Sequence, residues 1–193
     1  MQVNHVRQNL FPLLAAFIWG TSFVAQSVAA DSIGPFTFNA ARSAVAFVFL
    51  LALSLILWRA RRNTFAAEPE PRTGTWRDLL IGGLCCGAAL AVASFLQQKG
   101  LETTTAGKSG FITAMYIVIV PVLGIFLKRK APRTVWISVV LAVVGLYCLC
   151  MTGSLSANEG DFYTLLCAFC FSAHILVIDH FTQKVDGVQL SCA

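Results

Sequence analysis

The chain has 193 residues, of which 57% are hydrophobic and only 12% are charged, and its formal net charge is +5. Soluble domains usually carry about 25% charged residues, so this composition excludes most soluble folds. The mean hydropathy of +0.74 instead indicates a protein embedded in a lipid bilayer.

Six apolar stretches are long enough to cross a bilayer, which takes roughly 20 residues. In chain order they are about 10–30, 36–58, 79–97, 106–127, 134–152 and 161–182. Little chain remains between them, which leaves no room for an extramembranous catalytic domain. The sequence therefore predicts an all-α transmembrane protein, a polytopic helical bundle.

Basic residues are concentrated in two of the connections. Five arginines lie in 59–78 and four basic residues lie in 128–133, whereas only Lys99 and Lys108 lie near the loops of the opposite side. Cytoplasmic loops carry an excess of Lys and Arg, so we expect the amino terminus and both basic loops to be cytoplasmic. The basic loops are short flanks of spans, and we expect no nucleic acid partner.

Gly107-Lys108-Ser109 matches the last three residues of the nucleotide-binding P-loop pattern. The full pattern needs a glycine five residues before Gly107, and that position is Glu102, so we expect no nucleotide binding. Two interpretations of Lys108 remain. It contacts lipid headgroups at the outer surface, or it forms an anion-attracting entrance with Thr104, Thr105 and the free amides of the helix start.

Arg42 and Pro121 are further candidates for a gate. Arg42 lies six residues into the second stretch, where a charge costs roughly 2.5–3.5 kcal/mol. It could bind an anionic group of a substrate, close an outer gate through Asp31 or Glu102, or extend to the outer headgroups. Pro121 cannot donate to the carbonyl of Ile117, which predicts a kink and a possible hinge in the fourth helix.

Polar or aromatic residues inside the spans are candidates for lining a substrate cavity. Trp19 could stack on a substrate or pack against neighbouring helices, and Ser22 allows close helix contact. His174 could relay protons or donate a hydrogen bond to a neighbouring helix. The complete set is Trp19, Ser22, Gln26, Asn39, Gln97 and His174.

The last span resembles the first. Residues 13–21 align with residues 165–173 at an offset of 152, with four identical positions and Trp19 opposite Phe171. Five spans make one repeat, and because five is odd the two copies would enter the membrane from opposite sides. This is the inverted-topology repeat of many secondary transporters.

Five stretches carry a resemblance to the EamA-type family of the drug/metabolite transporter superfamily: FIWGTSFVAQ (17–26), PFTFNAARSAVA (35–46), LETTTAGKSGFITAMYIVIVPVLGIFLKRK (101–130), VLAVVGLYCLC (140–150) and GDFYTLLCAFCFSAHILVIDHF (160–181). Members resemble one another in having two five-helix inverted repeats that move metabolites or drugs by alternating access. The resemblance implies one complete first repeat at 10–152 and the truncated start of a second at 161–193.

The function that we expect is carriage of small metabolites or drugs across the cell (plasma or inner) membrane. The partners would be the metabolite, the bilayer and the missing second repeat, without which we expect the chain to insert but to be inactive. A small membrane protein acting as an oligomeric channel or accessory subunit is the alternative. The sequence contains no catalytic constellation, and we expect no enzyme activity, cofactor or metal.

Overall fold

The structure, a computed structural model, describes residues 5–63, 74–127, 132–150 and 158–193, and every regular element in these ranges is a helix. The helices are α1 (His5–Ala30), α2 (Pro35–Asn63), α3 (Trp76–Leu101), α4 (Ala106–Ala114), α5 (Tyr116–Phe126), α6 (Arg133–Cys150), α7 (Glu159–Thr182) and α8 (Gly187–Cys192). The predicted all-α membrane bundle is confirmed.

Among the described residues, five helical segments are long and apolar enough to cross a membrane. They are Leu10–Ala30, Pro35–Leu57, Trp76–Leu101, Ala106–Phe126 and Glu159–Thr182. The predicted span 134–152 corresponds to α6, whose described apolar part, Arg133–Gly145, is shorter. The end of that predicted span, at 151–152, lies outside the described residues.

Short polar side chains fix where three of the helices begin. Thr75 and Asp78 form a reciprocal capping box at the start of α3, and Asn158 and Asp161 form another at the start of α7. Thr105 accepts a hydrogen bond from the Lys108 amide at the start of α4. Each cap satisfies amides that the first helical turn leaves without a partner.

The fourth predicted span is divided into α4 and α5 at Met115 rather than at Pro121. The Met115 amide donates to the Ile112 carbonyl at 3.1 Å, which is the tighter bonding pattern of a 3₁₀ turn. Pro121 lies inside α5. The break at Met115 is thus a feature that the sequence did not predict, and the kink at Pro121 stays a prediction.

Helix α7 packs along α3 more extensively than any other pair of described helices. Gly100 of α3 and Gly160 of α7 face each other, and a Cβ added to Gly100 would lie only 2.8 Å from the Gly160 carbonyl oxygen. At the other end of α3, a Cβ on Gly82 would lie 2.8 Å from Leu190 and Phe181. Small residues allow helix backbones to approach closely inside a membrane.

Loop contacts at the two ends of this helix pair define two opposite ends of the bundle. At one end, the Asn158 side chain donates to the Thr103 carbonyl at 2.8 Å. At the other end, the Gly74 amide donates to the Lys184 carbonyl at 3.1 Å. The first end thus contains the α3–α4 connection and the start of α7, and the second contains the start of α3 and the α7–α8 connection.

Helix boundaries recur at the offset of 152 seen in the sequence. This offset separates the last residues of α1 and α7, Ala30 and Thr182, and also the first residues of α2 and α8, Pro35 and Gly187. Backbone hydrogen bonds recur at the same offset: Ile33 to Ala29 with Val185 to Phe181, and Phe38 to Gly34 with Leu190 to Asp186. The α3–α4 connection contains the same turn, so the turn by itself does not indicate a repeat. The informative observation is that the helix boundaries recur at the constant offset of 152.

We expect Gly160→Ala to destabilise the bundle, because the added methyl group meets the α3 backbone and the α3–α4 loop. Overpacking of this kind costs typically about 1–3 kcal/mol. The control is Gly87→Ala on α3, where a Cβ has no neighbour within 4 Å. Reversible unfolding in mixed detergent micelles, followed by circular dichroism, measures both. Equal stability of the two variants would contradict the close packing described here.

Candidate functional site

A cavity of about 940 Å³ lies between α1, α2 and α3, with Phe171 of α7 in its wall. In the described part of the chain, α1 and α2 each pack against α3 but make few contacts with each other. The two helices therefore diverge and leave the cavity between them. Five of the residues singled out in the sequence line it: Trp19, Ser22, Asn39, Arg42 and Gln97.

Aromatic rings form one wall of the cavity. The Trp19 ring stacks on Tyr116 with centroids 5.8 Å apart and meets Phe171 edge-on at the same centroid distance. Trp19 nevertheless remains 37% exposed. The two interpretations of Trp19, packing and cavity lining, are thus compatible, because its ring packs against α5 and α7 and also lines the cavity.

Polar side chains from three helices lie along or beside the cavity. Arg42 donates from Nη2 to Asn39 Oδ1 at 2.9 Å, so Arg42 contacts neither of the two predicted gate partners, Asp31 and Glu102. Glu102 caps the end of α3 and pairs instead with Lys99 in the last turn of that helix. In this structure Arg42 therefore pairs with neither carboxylate, and its role in a gate stays a prediction.

Among the described residues, four buried side-chain polar atoms have no hydrogen-bond partner. They are Gln26 Oε1, Asn39 Nδ2, Gln98 Oε1 and Ser109 Oγ. Gln26 bonds to Ser22 through its amino group, 2.9 Å from Ser22 Oγ. Each unpartnered buried group costs about 1–3 kcal/mol, which is a cost that a ligand or ordered water would offset.

A second polar cluster, the Asp161 network, consists of Asp161, Lys108, Thr104 and Asn158. Lys108 Nζ lies 2.6 Å from Asp161 Oδ2, and Thr104 Oγ1 donates to Asp161 Oδ1 at 2.7 Å. The Asn158 amide donates to Oδ2 at 2.9 Å. Only 19% of the Lys108 side chain and 11% of the Asp161 side chain are exposed.

This network revises both interpretations of Lys108. Its side chain is mostly buried rather than exposed to headgroups, and its ammonium group contacts a carboxylate of the same chain. Asp161 was not among the residues singled out in the sequence. The sequence feature that could have pointed to Asp161 is its position three residues after Asn158, a spacing that is typical of a helix start.

The comparisons with known proteins agree with this architecture. The family model of the EamA-like transporter family matches residues 7–151. The chain belongs to the EamA-like transporter family. This confirms the resemblance and supports a multi-pass membrane transporter.

Two curated relatives of this EamA-like chain bear the name uncharacterized transporter. One, from Archaeoglobus fulgidus, is 33% identical over 199 residues, which cover 98% of this chain and 54% of that protein. The other, YwfM of Bacillus subtilis, is 26% identical over 148 residues, which cover 73% of this chain and 44% of that protein. The chain spans about half the length of the curated relatives it matches. No solved structure matches it significantly.

The remaining candidates of the EamA-like chain lie outside the lining of this cavity. His174 Nδ1 lies 3.0 Å from the Cys86 carbonyl, so His174 hydrogen-bonds to α3, as one of its two interpretations expected. Gln26 is 1% exposed and lies one turn from Ser22. Pro121 lines a separate, apolar cavity of about 550 Å³ between α5, α6 and α7.

We expect Asp161→Asn to destabilise the chain, because it leaves the Lys108 ammonium group mostly buried without its carboxylate. Breaking a fully buried pair costs about 3–5 kcal/mol, and the partial exposure of Lys108 reduces this value. In a double-mutant cycle with Lys108→Met, the double variant should lose less stability than the two single variants together.

The matched control for this cycle is the pair Lys99 and Glu102, which is more exposed. Exposed pairs contribute about 0–1 kcal/mol, so Lys99→Met and Glu102→Gln should show little coupling in the same unfolding measurement. A coupling at Asp161 no larger than that at Glu102 would show that the Asp161 network is not a stabilising contact.

Proposed function

We propose that the chain forms one repeat, and the first helix of a second inverted repeat, of a carrier that moves small metabolites or drugs by alternating access. The cavity between α1, α2 and α3 would be the first repeat's contribution to the substrate site. The observation that carries the proposal is the position of this cavity, because inverted-repeat carriers bind substrates near the midplane where their repeats meet.

The contact between Trp19 and Phe171 supports this arrangement. These residues are aligned with each other at the offset of 152, and their ring centroids are 5.8 Å apart. Both lie near the middle of their spans, Leu10–Ala30 and Glu159–Thr182. Residues that are equivalent under a two-fold rotation contact each other only near the axis, so the cavity would lie beside the axis that relates the repeats.

The two ends of α7 supply contacts that could serve as alternating gates. The Asp161 network joins the start of α7 to α4 and the α3–α4 loop. At the opposite end, the Lys184 carbonyl bonds to the Gly74 amide, and Lys184 Nζ lies 4.0 Å from Asp78 Oδ1. Because α7 would belong to the second repeat and α3 and α4 to the first, movement of one repeat against the other would change both sets of contacts.

Blocking the cavity should abolish saturable transport. Gly87 lines the cavity and has open space around it, so Gly87→Trp should fill the cavity without a backbone clash. Gly110→Trp is the control, because Gly110 also has open space around it but does not line the cavity. The assay is uptake of a defined mixture of amino acids, organic acids, sugars and nucleosides into proteoliposomes, followed by mass spectrometry.

We expect this uptake only when the second repeat is supplied, either in one chain with residues 1–193 or as a separate piece taken from the Archaeoglobus fulgidus relative. Vesicles holding the short chain alone, and lipid alone, should show none. Saturable uptake by the monomeric short chain would contradict the proposal. Uptake confined to an oligomer of the short chain would favour the alternative, an oligomeric channel.

Cysteine labelling tests the inverted repeat and the cytoplasmic amino terminus together. Asp31 and Gln183 are exposed, lie just after α1 and α7, and are separated by the same offset of 152. After replacement of the seven native cysteines, Asp31→Cys should react with an impermeant thiol reagent on intact cells, whereas Gln183→Cys should react only after lysis. Labelling of both positions from the same side would exclude the inverted arrangement.

A further inference from the structure

The α2 wall of the cavity carries hydrogen-bond donors on Arg42 and Asn39. Arg42 and Asn39 are three residues apart on α2 and therefore lie on the same face of the helix. The Arg42 guanidinium donates to Asn39 Oδ1, which engages the acceptor of the Asn39 side chain. The Asn39 amino group is buried without a partner, and most of the five donors of a guanidinium are not used by this bond.

The positive charge of Arg42 is not balanced within the cavity. The described residues that line it include Arg42 but no aspartate or glutamate. The other contact of the guanidinium is with the Phe38 ring, 5.8 Å from the centroid. A cation that lies inside the hydrocarbon region is costly unless an anion or a strong set of acceptors accompanies it, and among the described residues the acceptor that Arg42 bonds to is the neutral amide oxygen of Asn39.

Most of the remaining lining is apolar or aromatic, and its further polar residues are the uncharged Ser22, Ser43, Ser94 and Gln97. The rings of Phe36 and Phe95 lie against each other, with centroids 4.5 Å apart, and both line the cavity. Trp19 and Phe171 contribute further ring surface. Such walls favour an apolar body, whereas small polar groups in a pocket fix its orientation.

We infer that the cavity binds a small amphipathic organic anion, with its carboxylate between Arg42 and Asn39 and its apolar body against Phe36, Phe95 and Trp19. The carboxylate would accept two N–H bonds from the planar guanidinium and one from the Asn39 amino group. This inference rests on the proposed function, because it names the substrate class of the same cavity.

Three probes that share one body and differ in charge test the inference: phenylacetate, phenylacetamide and phenethylamine. Their affinities are measured by isothermal titration calorimetry on the 193-residue chain in phosphatidylcholine nanodiscs. Hydrogen bonds to charged groups contribute about 1.5–3 kcal/mol. Phenylacetate should therefore bind about 10- to 100-fold more tightly than phenylacetamide, and phenethylamine should bind most weakly.

Substitutions test which residue causes the preference for phenylacetate over phenylacetamide. In Arg42→Gln the difference between phenylacetate and phenylacetamide should disappear, while retained phenylacetamide binding shows that the cavity is intact. Arg42→Lys keeps the charge but loses the planar fork, so it should retain part of the preference. Arg77→Gln, which removes an exposed arginine at the start of α3, is the matched control and should behave as the parent chain.

Three results would overturn the inference. They are equal or tighter binding of the neutral or cationic probe, phenylacetate preference that survives in Arg42→Gln, and binding of no probe at all. Loss of phenylacetate binding in nanodiscs that contain phosphatidylglycerol would assign Arg42 to lipid headgroups and would also overturn it. Because binding is measured without transport, a carrier of neutral or cationic compounds would contradict this inference and leave the proposed function standing.

Discussion

Helix α7 reaches the centre of the described bundle because glycine allows its backbone to approach α3. In a bilayer the lipid tails are as apolar as the side chains, so helices associate through close packing and interhelical hydrogen bonds rather than through the hydrophobic effect. Gly100 and Gly160 provide that packing at one end, and Gly82 provides it near the other. Between them, Ala93, Cys167 and Phe171 form a buried core cluster. The cavity depends on this contact, since Phe171 enters its wall from α7.

Polar groups in this bundle are concentrated where helices meet. Gln97, Gln98, Thr113 and Thr164 are almost fully buried, and Gln98 donates to the Gln26 carbonyl across α1 and α3 at 3.0 Å. Away from the cavity, α1 and α2 instead carry exposed apolar side chains such as Phe17, Val48 and Phe49. This distribution suits a chain whose polar contacts determine which helices pair, while lipid or further protein covers the apolar faces.

The sequence was sufficient for the helices but not for the contacts between distant residues. Long apolar runs require helices because a bilayer offers no partners for backbone polar groups, which is why most predicted spans were found. The cavity residues Trp19, Asn39 and Arg42 could be selected because polar and aromatic groups within spans are unusual. Asp161 could not be paired with Lys108 in the same way, since 53 positions separate them. The turn at Met115 was also missed, because Met115 is neither a proline nor a glycine, the residues that mark helix breaks in a sequence.

Helix α4 connects the Asp161 network to the cavity. Lys108 binds Asp161 in the first turn of α4, and Thr113, near its other end, accepts a hydrogen bond from Gln97 at 3.3 Å. Five residues of helix correspond to about 7.5 Å along the axis, so the two contacts lie on one short rigid element. The 3₁₀ turn at Met115 follows directly and separates α4 from α5. A displacement of α4 that released Lys108 from Asp161 would therefore also move Thr113 away from Gln97. In this way an opening at one end of the bundle would change the hydrogen bonding of a cavity residue, which is the coupling that the proposed alternating access would require.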